Sequence, residues 1–173
     1  MMRRLHLLSA SLASAVLVST LFASTAFAAP AQDRYAGIWT IASSEPAPWT
    51  HDPVDEVPKE IRQLTGAKVT IRVDRIDGPH QVACKHPHYE IRMDGADMLF
   101  QGSLEEYGDK NTTPDKAATA LGFARRPIAT LVTGCANEME FHAIDDDHLL
   151  FGLNNRVYRM TRTQPAPAKG GKP

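Results

Sequence analysis

Aromatic residues are few, at 7% of the chain, and cysteines fewer still, with only Cys84 and Cys135. Neither charge sign predominates, since 19 Lys and Arg stand against 20 Asp and Glu. That balance lacks the basic footprint of a nucleic-acid binder or of a protein held on an anionic membrane. Catalytic signatures are missing too: the sequence has no G-x-S-x-G, no H-E-x-x-H, no G-x-x-x-x-G-K-[ST] and no Rossmann fingerprint. Isolated Ser, His and Asp residues would furnish a nominal triad in any such chain, so catalysis finds little support and no cofactor is called for. No solenoid period is visible, and no helical pattern is long enough to build a bundle.

What is present begins with an export signal. Met1, Met2, Arg3 and Arg4 lead into an apolar run broken by Ser and one His, and the run ends at Ala26-Phe27-Ala28. That is the basic, apolar and small-residue plan of a cleaved secretory peptide over residues 1–28. Ser11, Ser14, Ser19 and Thr20 make the run a poor membrane anchor, which needs about 20 strongly apolar residues. The first cysteine is Cys84, so lipid attachment at the new N-terminus is not expected. Cleavage removes two basic residues and no acidic one, leaving a net charge near −3. The product is expected to be soluble and periplasmic or secreted. In an oxidising compartment Cys84 and Cys135 most simply form one disulfide, with two free thiols as the alternative.

About 145 residues then remain, enough for one domain around one core. The expected domain covers residues 29–162. Residues 163–173, TQPAPAKGGKP, cannot bury a core and read as a disordered tail. Within the domain, Val69, Ile71 and Val73 alternate with Thr70, Arg72 and Asp74, the period of a half-buried strand over 67–76. Asp77-Gly78 and Asp94-Gly95 read as hairpin turns around an extended segment 80–93 and a third strand at 98–100. A second meander follows over 128–133, 135–144, 149–153 and 156–161, with Asn154-Asn155 as a tight turn. With residues 37–43 this makes eight candidate strands. Short helices are expected at 57–64 and after Thr113, where Pro114 supplies the first helical position and Gly122 the terminator. The fold expected is a mainly β, eight-stranded antiparallel up-and-down barrel or barrel-like sandwich with one or two short helices.

Gly37-Ile38-Trp39 opens the first strand. In that position the G-x-W resembles the opening motif of the lipocalins and related small exported barrels, which include bacterial metalloprotease inhibitors. The resemblance implies a Trp39 that plugs one barrel end beneath an Arg from a late strand, Arg159 or Arg162. It also implies a role in binding either a small apolar ligand or another exported protein, a hydrolase inhibitor being one form of the second. On the residues alone, Trp39 is simply a core aromatic.

Two further features bear on function. The loop 45–53 is stiffened by Pro46, Pro48 and Pro53 and carries Trp49 and His51, a plausible contact surface beside the barrel mouth. His86 and His88 lie two apart, with Glu90 at the next same-face position and His80 nearby, the ingredients of a transition-metal site. Parity argues against it. If Cys84 points inward, an unbroken strand would bury those polar groups as well, so Pro87 marks a break that returns the histidines to solvent. On the strand 135–144, Met139, Phe141 and Ala143 share the disulfide's inner face, and Glu138, Glu140 and His142 form a polar outer face or, less simply, a ligand set. The resulting reading is a monomeric exported binding protein of lipocalin-like type, with a periplasmic His-based metal-binding protein as the contrasting class.

Overall fold

The computed structural model describes residues 31–50, 58–106 and 112–165. The expected signal segment 1–28, His51 and the tail beyond Pro165 lie outside the described residues. The strands are β1 (Gly37–Pro46), β2 (Lys68–Ile71), β3 (Arg75–Asp77), β4 (Cys84–Lys85), β5 (Glu90–Asp94), β6 (Ile128–Val132), β7 (Glu140–Ala143), β8 (His148–Leu153) and β9 (Arg156–Pro165). The helices are α1 (Pro58–Leu64), α2 (Ser103–Glu106) and α3 (Pro114–Ala120), with single 3-10 turns at Ala31–Arg34 and Ala96–Met98.

All nine strands join one antiparallel sheet in the order β4-β3-β2-β1-β9-β8-β7-β6-β5. This is an up-and-down meander in which β1 closes onto β9 while the two end strands, β4 and β5, are not paired with each other. The sheet is therefore a curled half-barrel, open along one seam, with nine strands where eight were expected. Three local facts account for the difference, the first being that the expected strand over 80–93 is interrupted between β4 and β5, where His86 takes a positive φ of 59 just before Pro87. The segment 67–76 is not one strand, because the Arg72 N–H turns back to Arg75 O at 2.9 Å and leaves Val73 80% exposed. Residues 98–100 form no strand, because Phe100, Gln101 and Gly102 all have positive φ, a run no strand accommodates. On the far side, β9 runs through Pro165, three residues past the boundary drawn at Arg162.

Cys84 and Cys135 are joined in a disulfide that ties β4 to the β6–β7 connection across the seam. Closing a loop with a sequence separation of 51 stabilises the fold by about 4 kcal/mol in the chain-entropy description. Tyr89 Oη donates to Arg72 O at 2.9 Å, and Asn137 Nδ2 donates to Gln81 O at 2.9 Å, so side chains hold the seam where backbone pairing does not. Gly134 lies in the same region at φ +62, and a Cβ there would meet His88 O at 2.9 Å. Only glycine permits that approach.

The concave face of the sheet is buried, and so is part of its outer face. Its concave interior is filled by Trp39, Phe141, Phe151, Tyr158 and the aliphatic residues around them, the four rings having no exposed surface. The outer face of β6, β8 and β9 is covered by the segment from Ala96 to Glu106 and by α3, through Leu99, Phe100, Leu104, Ala118, Leu121 and Phe123 against Ile128, Leu150 and Val157. Thr113 caps α3, its side chain accepting from the Lys116 N–H, and Gly122 at φ +102 ends the helix region. Among the described residues no helix is long and apolar enough to cross a membrane, and the disulfide fits an oxidising compartment.

Candidate functional site

Along β7, side chains alternate between the two layers. Phe141 points into the interior, and Glu140 and His142 point out. The outer face here is not solvated, contrary to the expectation of a polar surface: His142 has no exposed area, and the Glu140 side chain is only 9% exposed. The segment around Phe100 covers them.

His142 organises that cover. Its Nε2 accepts the Phe100 backbone N–H at 3.1 Å, so the ring proton resides on Nδ1, 2.9 Å from Thr130 Oγ1. Burial, with the positive charge of Arg92 in addition, holds the imidazole's pKa down at about 3. The neutral ring thus acts as a fixed acceptor that anchors a backbone in an unfavourable conformation. Phe100 at φ 52 and Gln101 at φ 59 are left-handed without being glycine, and so is Glu138 at φ 51. Gln101 Nε2 ties these segments together by donating to Glu138 O at 2.8 Å. Non-glycine residues held at positive φ cost roughly 1–3 kcal/mol each and persist only where the surrounding structure fixes them.

Over this platform lies a cleft of ≈ 270 Å³ lined by Trp49, Phe100, Gln101, Glu138, Glu140 and the Asn154-Asn155 turn, among others. The half-buried Trp49 folds back from the end of β1, its ring centroid 5.0 Å from that of Phe100 and tilted by 42°. Phe100 in turn meets His142 edge-on at 4.6 Å. Glu140 reaches Arg92 Nη2 through Oε1 at 2.8 Å, and the same nitrogen bonds Asp94 Oδ2 at 3.2 Å. Glu140 Oε2 has no hydrogen-bond partner, and burial outweighs Arg92 in raising the pKa of that carboxyl.

The other residues singled out from the sequence lie elsewhere. Trp39 Nε1 donates to Tyr35 O at 2.8 Å, and the guanidinium over its ring belongs to Arg162, 4.0 Å from the ring centroid. Arg159, the other candidate for that position, is on the other face of β9 and donates to Leu121 O at the end of α3. The register decides this: Trp39 faces Arg162 across the β1–β9 ladder, and residues three apart on a strand point to opposite faces. His80, His86, His88 and Glu90 are all exposed, and His86 takes a positive φ of 59 just before Pro87. Among the described residues no three His, Cys, Asp or Glu side chains are placed to share a metal ion.

Sequence reasoning placed Trp49 at a contact surface but overlooked Phe100, Gln101, Glu140 and His142 as one unit. A signal for them existed. Leu149-Leu150-Phe151 and Ile128-Ala129-Thr130-Leu131 are buried at every position, as strands covered on both faces must be. In comparisons with known proteins, the chain matches no family model, no curated protein and no solved structure. Function must therefore be argued from the site itself.

Proposed function

We propose that this chain is an exported binding protein that recognises another exported protein through the cleft beside Trp49, acting as an inhibitor or modulator of that partner. The observation that carries the reading is the stack of Trp49 on Phe100 above a preformed cleft, held by His142 from below. Tryptophan is among the residue types most enriched at binding hot spots. The platform beneath it is fixed before any partner arrives, which lowers the ordering cost of association.

A small apolar ligand in the barrel mouth, the other form of the same reading, has less in its favour. The interior volume is taken by Trp39, Phe141, Phe151 and Tyr158. The cleft outside, at ≈ 270 Å³, falls below the usual range of about 300–1,000 Å³ for small-molecule pockets, and most of its lining residues are polar. It suits a single inserted side chain.

The test is capture from the periplasmic or culture fraction of the producing cell, using the mature protein and a Trp49→Ala variant, followed by titration of each purified catch. A partner bound roughly tenfold more weakly by the variant is the expected result. Equal affinity for both proteins would remove the cleft as the contact site.

A further inference from the structure

The chemistry of the cleft wall specifies the occupant more narrowly than its shape does. Its hydrogen-bond donors are largely committed within the protein. Asn137 Nδ2 donates to Gln81 O and Asn154 Nδ2 to Glu60 Oε2, while Gln101 Nε2 reaches Glu138 O and Ser103 Oγ reaches Phe100 O. Acceptors are in surplus. Two carboxylates, Glu138 and Glu140, line the cleft, and no Lys or Arg is among its lining residues. Arg92 is not among them, and it is shared between Asp94 and Glu140, so that triad keeps a net negative charge. Glu140 Oε2, on a side chain more than nine-tenths buried, has no hydrogen-bond partner within bonding geometry, although the Gln101 backbone N–H also acts on this carboxyl. A buried carboxylate oxygen without a donor is costly, and a donor brought in from outside relieves that cost.

Aromatic faces complete the arrangement. Trp49 and Phe100 form the apolar side of the same cleft, and an indole face attracts a cation that is partly stripped of water. We propose that the cleft is a cation-binding pocket that takes the guanidinium or ammonium head of an Arg or Lys side chain projecting from the exported partner, with Glu140 pairing its charge and Trp49 covering its alkyl stem. This rests on the reading of the protein as a partner-binding module and names the group it recognises. An arginine, planar and weakly hydrated, is the better fit to an aromatic wall facing a carboxylate.

The experiment is a titration of the mature protein with N-acetyl-arginine methylamide, followed by tryptophan fluorescence and by heat, with agmatine, spermidine and n-pentanol run alongside. A saturable response to the capped arginine is expected. Pentanol should give none, because it keeps the stem and lacks the charge. Glu140→Gln and Trp49→Ala should each weaken the response roughly tenfold, with near- and far-ultraviolet circular dichroism confirming that both variants are folded. Glu138→Gln, at an exposed position, supplies a second charge variant, and a smaller weakening is expected from it. Equal binding by wild type and Glu140→Gln would overturn the proposal, as would spermidine binding more than tenfold tighter than capped arginine, which would assign the pocket to a free polyamine. If no cation binds but a partner is still captured through Trp49, the cation assignment fails and the partner-binding reading stands. If neither occurs, both fail.

Discussion

On the inner face of β7, Phe141 packs edge-on against Phe151 at 5.8 Å in an interior that is almost wholly apolar. On the outer face of the same strand, His142 and Glu140 lie under a second layer that also buries Thr130 and Asp94. The inner layer gains its stability from area removed from water, which is non-directional and indifferent to pH. The outer layer depends on directed hydrogen bonds to a few buried polar groups, so each group removed leaves a partner unsatisfied. One strand thus divides the work: its inner side chains hold the fold, and its outer ones shape the cleft.

Phe141→Ala is the largest perturbation expected. It should cost about 3–5 kcal/mol, read as a lowered denaturant midpoint. If the cleft platform is independent of the interior, Trp49 fluorescence should keep its native character until global unfolding. His142→Leu should cost about 1–3 kcal/mol, because the Phe100 N–H and Thr130 hydroxyl both lose their partner. Loss of cation response in this variant with a native far-ultraviolet spectrum would place the damage in the platform and not in the fold.

The same histidine sets a pH signature. Its folded pKa of about 3 lies below the ordinary value of 6.5, so between those values the unfolded chain binds the extra proton. The stability contributed by neutral His142 is complete above pH 6.5 and is lost as pH falls toward 3, at up to about 1.4 kcal/mol per pH unit. Glu140, whose pKa is raised, acts in the opposite sense, its folded form losing stability as pH rises through the carboxylate range. Wild type should therefore show an acid slope that His142→Leu reduces, measured by denaturant melts across that interval. An unchanged slope in the variant would mean that the imidazole is not held neutral. Trp49→Ala is the smallest in stability, at about 1 kcal/mol or less for a half-buried rim residue, and yet it should weaken binding roughly tenfold. A fall of several kcal/mol would instead make Trp49 part of the core.

Legibility in the sequence followed the range of the interaction. The capped start of α3 at Thr113-Pro114 and the Asn154-Asn155 turn, both residues at positive φ, depend on neighbours along the chain and could be read directly. The strand over 67–76 looked continuous because its alternation runs through Arg72 and Asp74, and only the pairing of β2 with β3 shows where it folds back. Trp39 was legible as an interior residue, but choosing between Arg159 and Arg162 required the register with β1. The cleft was the least legible part. Its residues come from the end of β1, the Phe100 segment, β7 and the β8–β9 turn, and nothing in their spacing brings them together.

By itself the sequence determined the β class of the domain, the positions of its capped helix and tight turns, and the expectation of a single Cys84–Cys135 bridge, because strand period, capping and cysteine count are local or compositional quantities. Tertiary structure alone decided that the barrel stays open between β4 and β5, that the disulfide spans that seam, and that the polar face of β7 lies under a second layer as the floor of a cleft. Those outcomes depend on which surfaces meet, and two surfaces distant in sequence acquire a common chemistry only when the sheet curls and its outer face is covered.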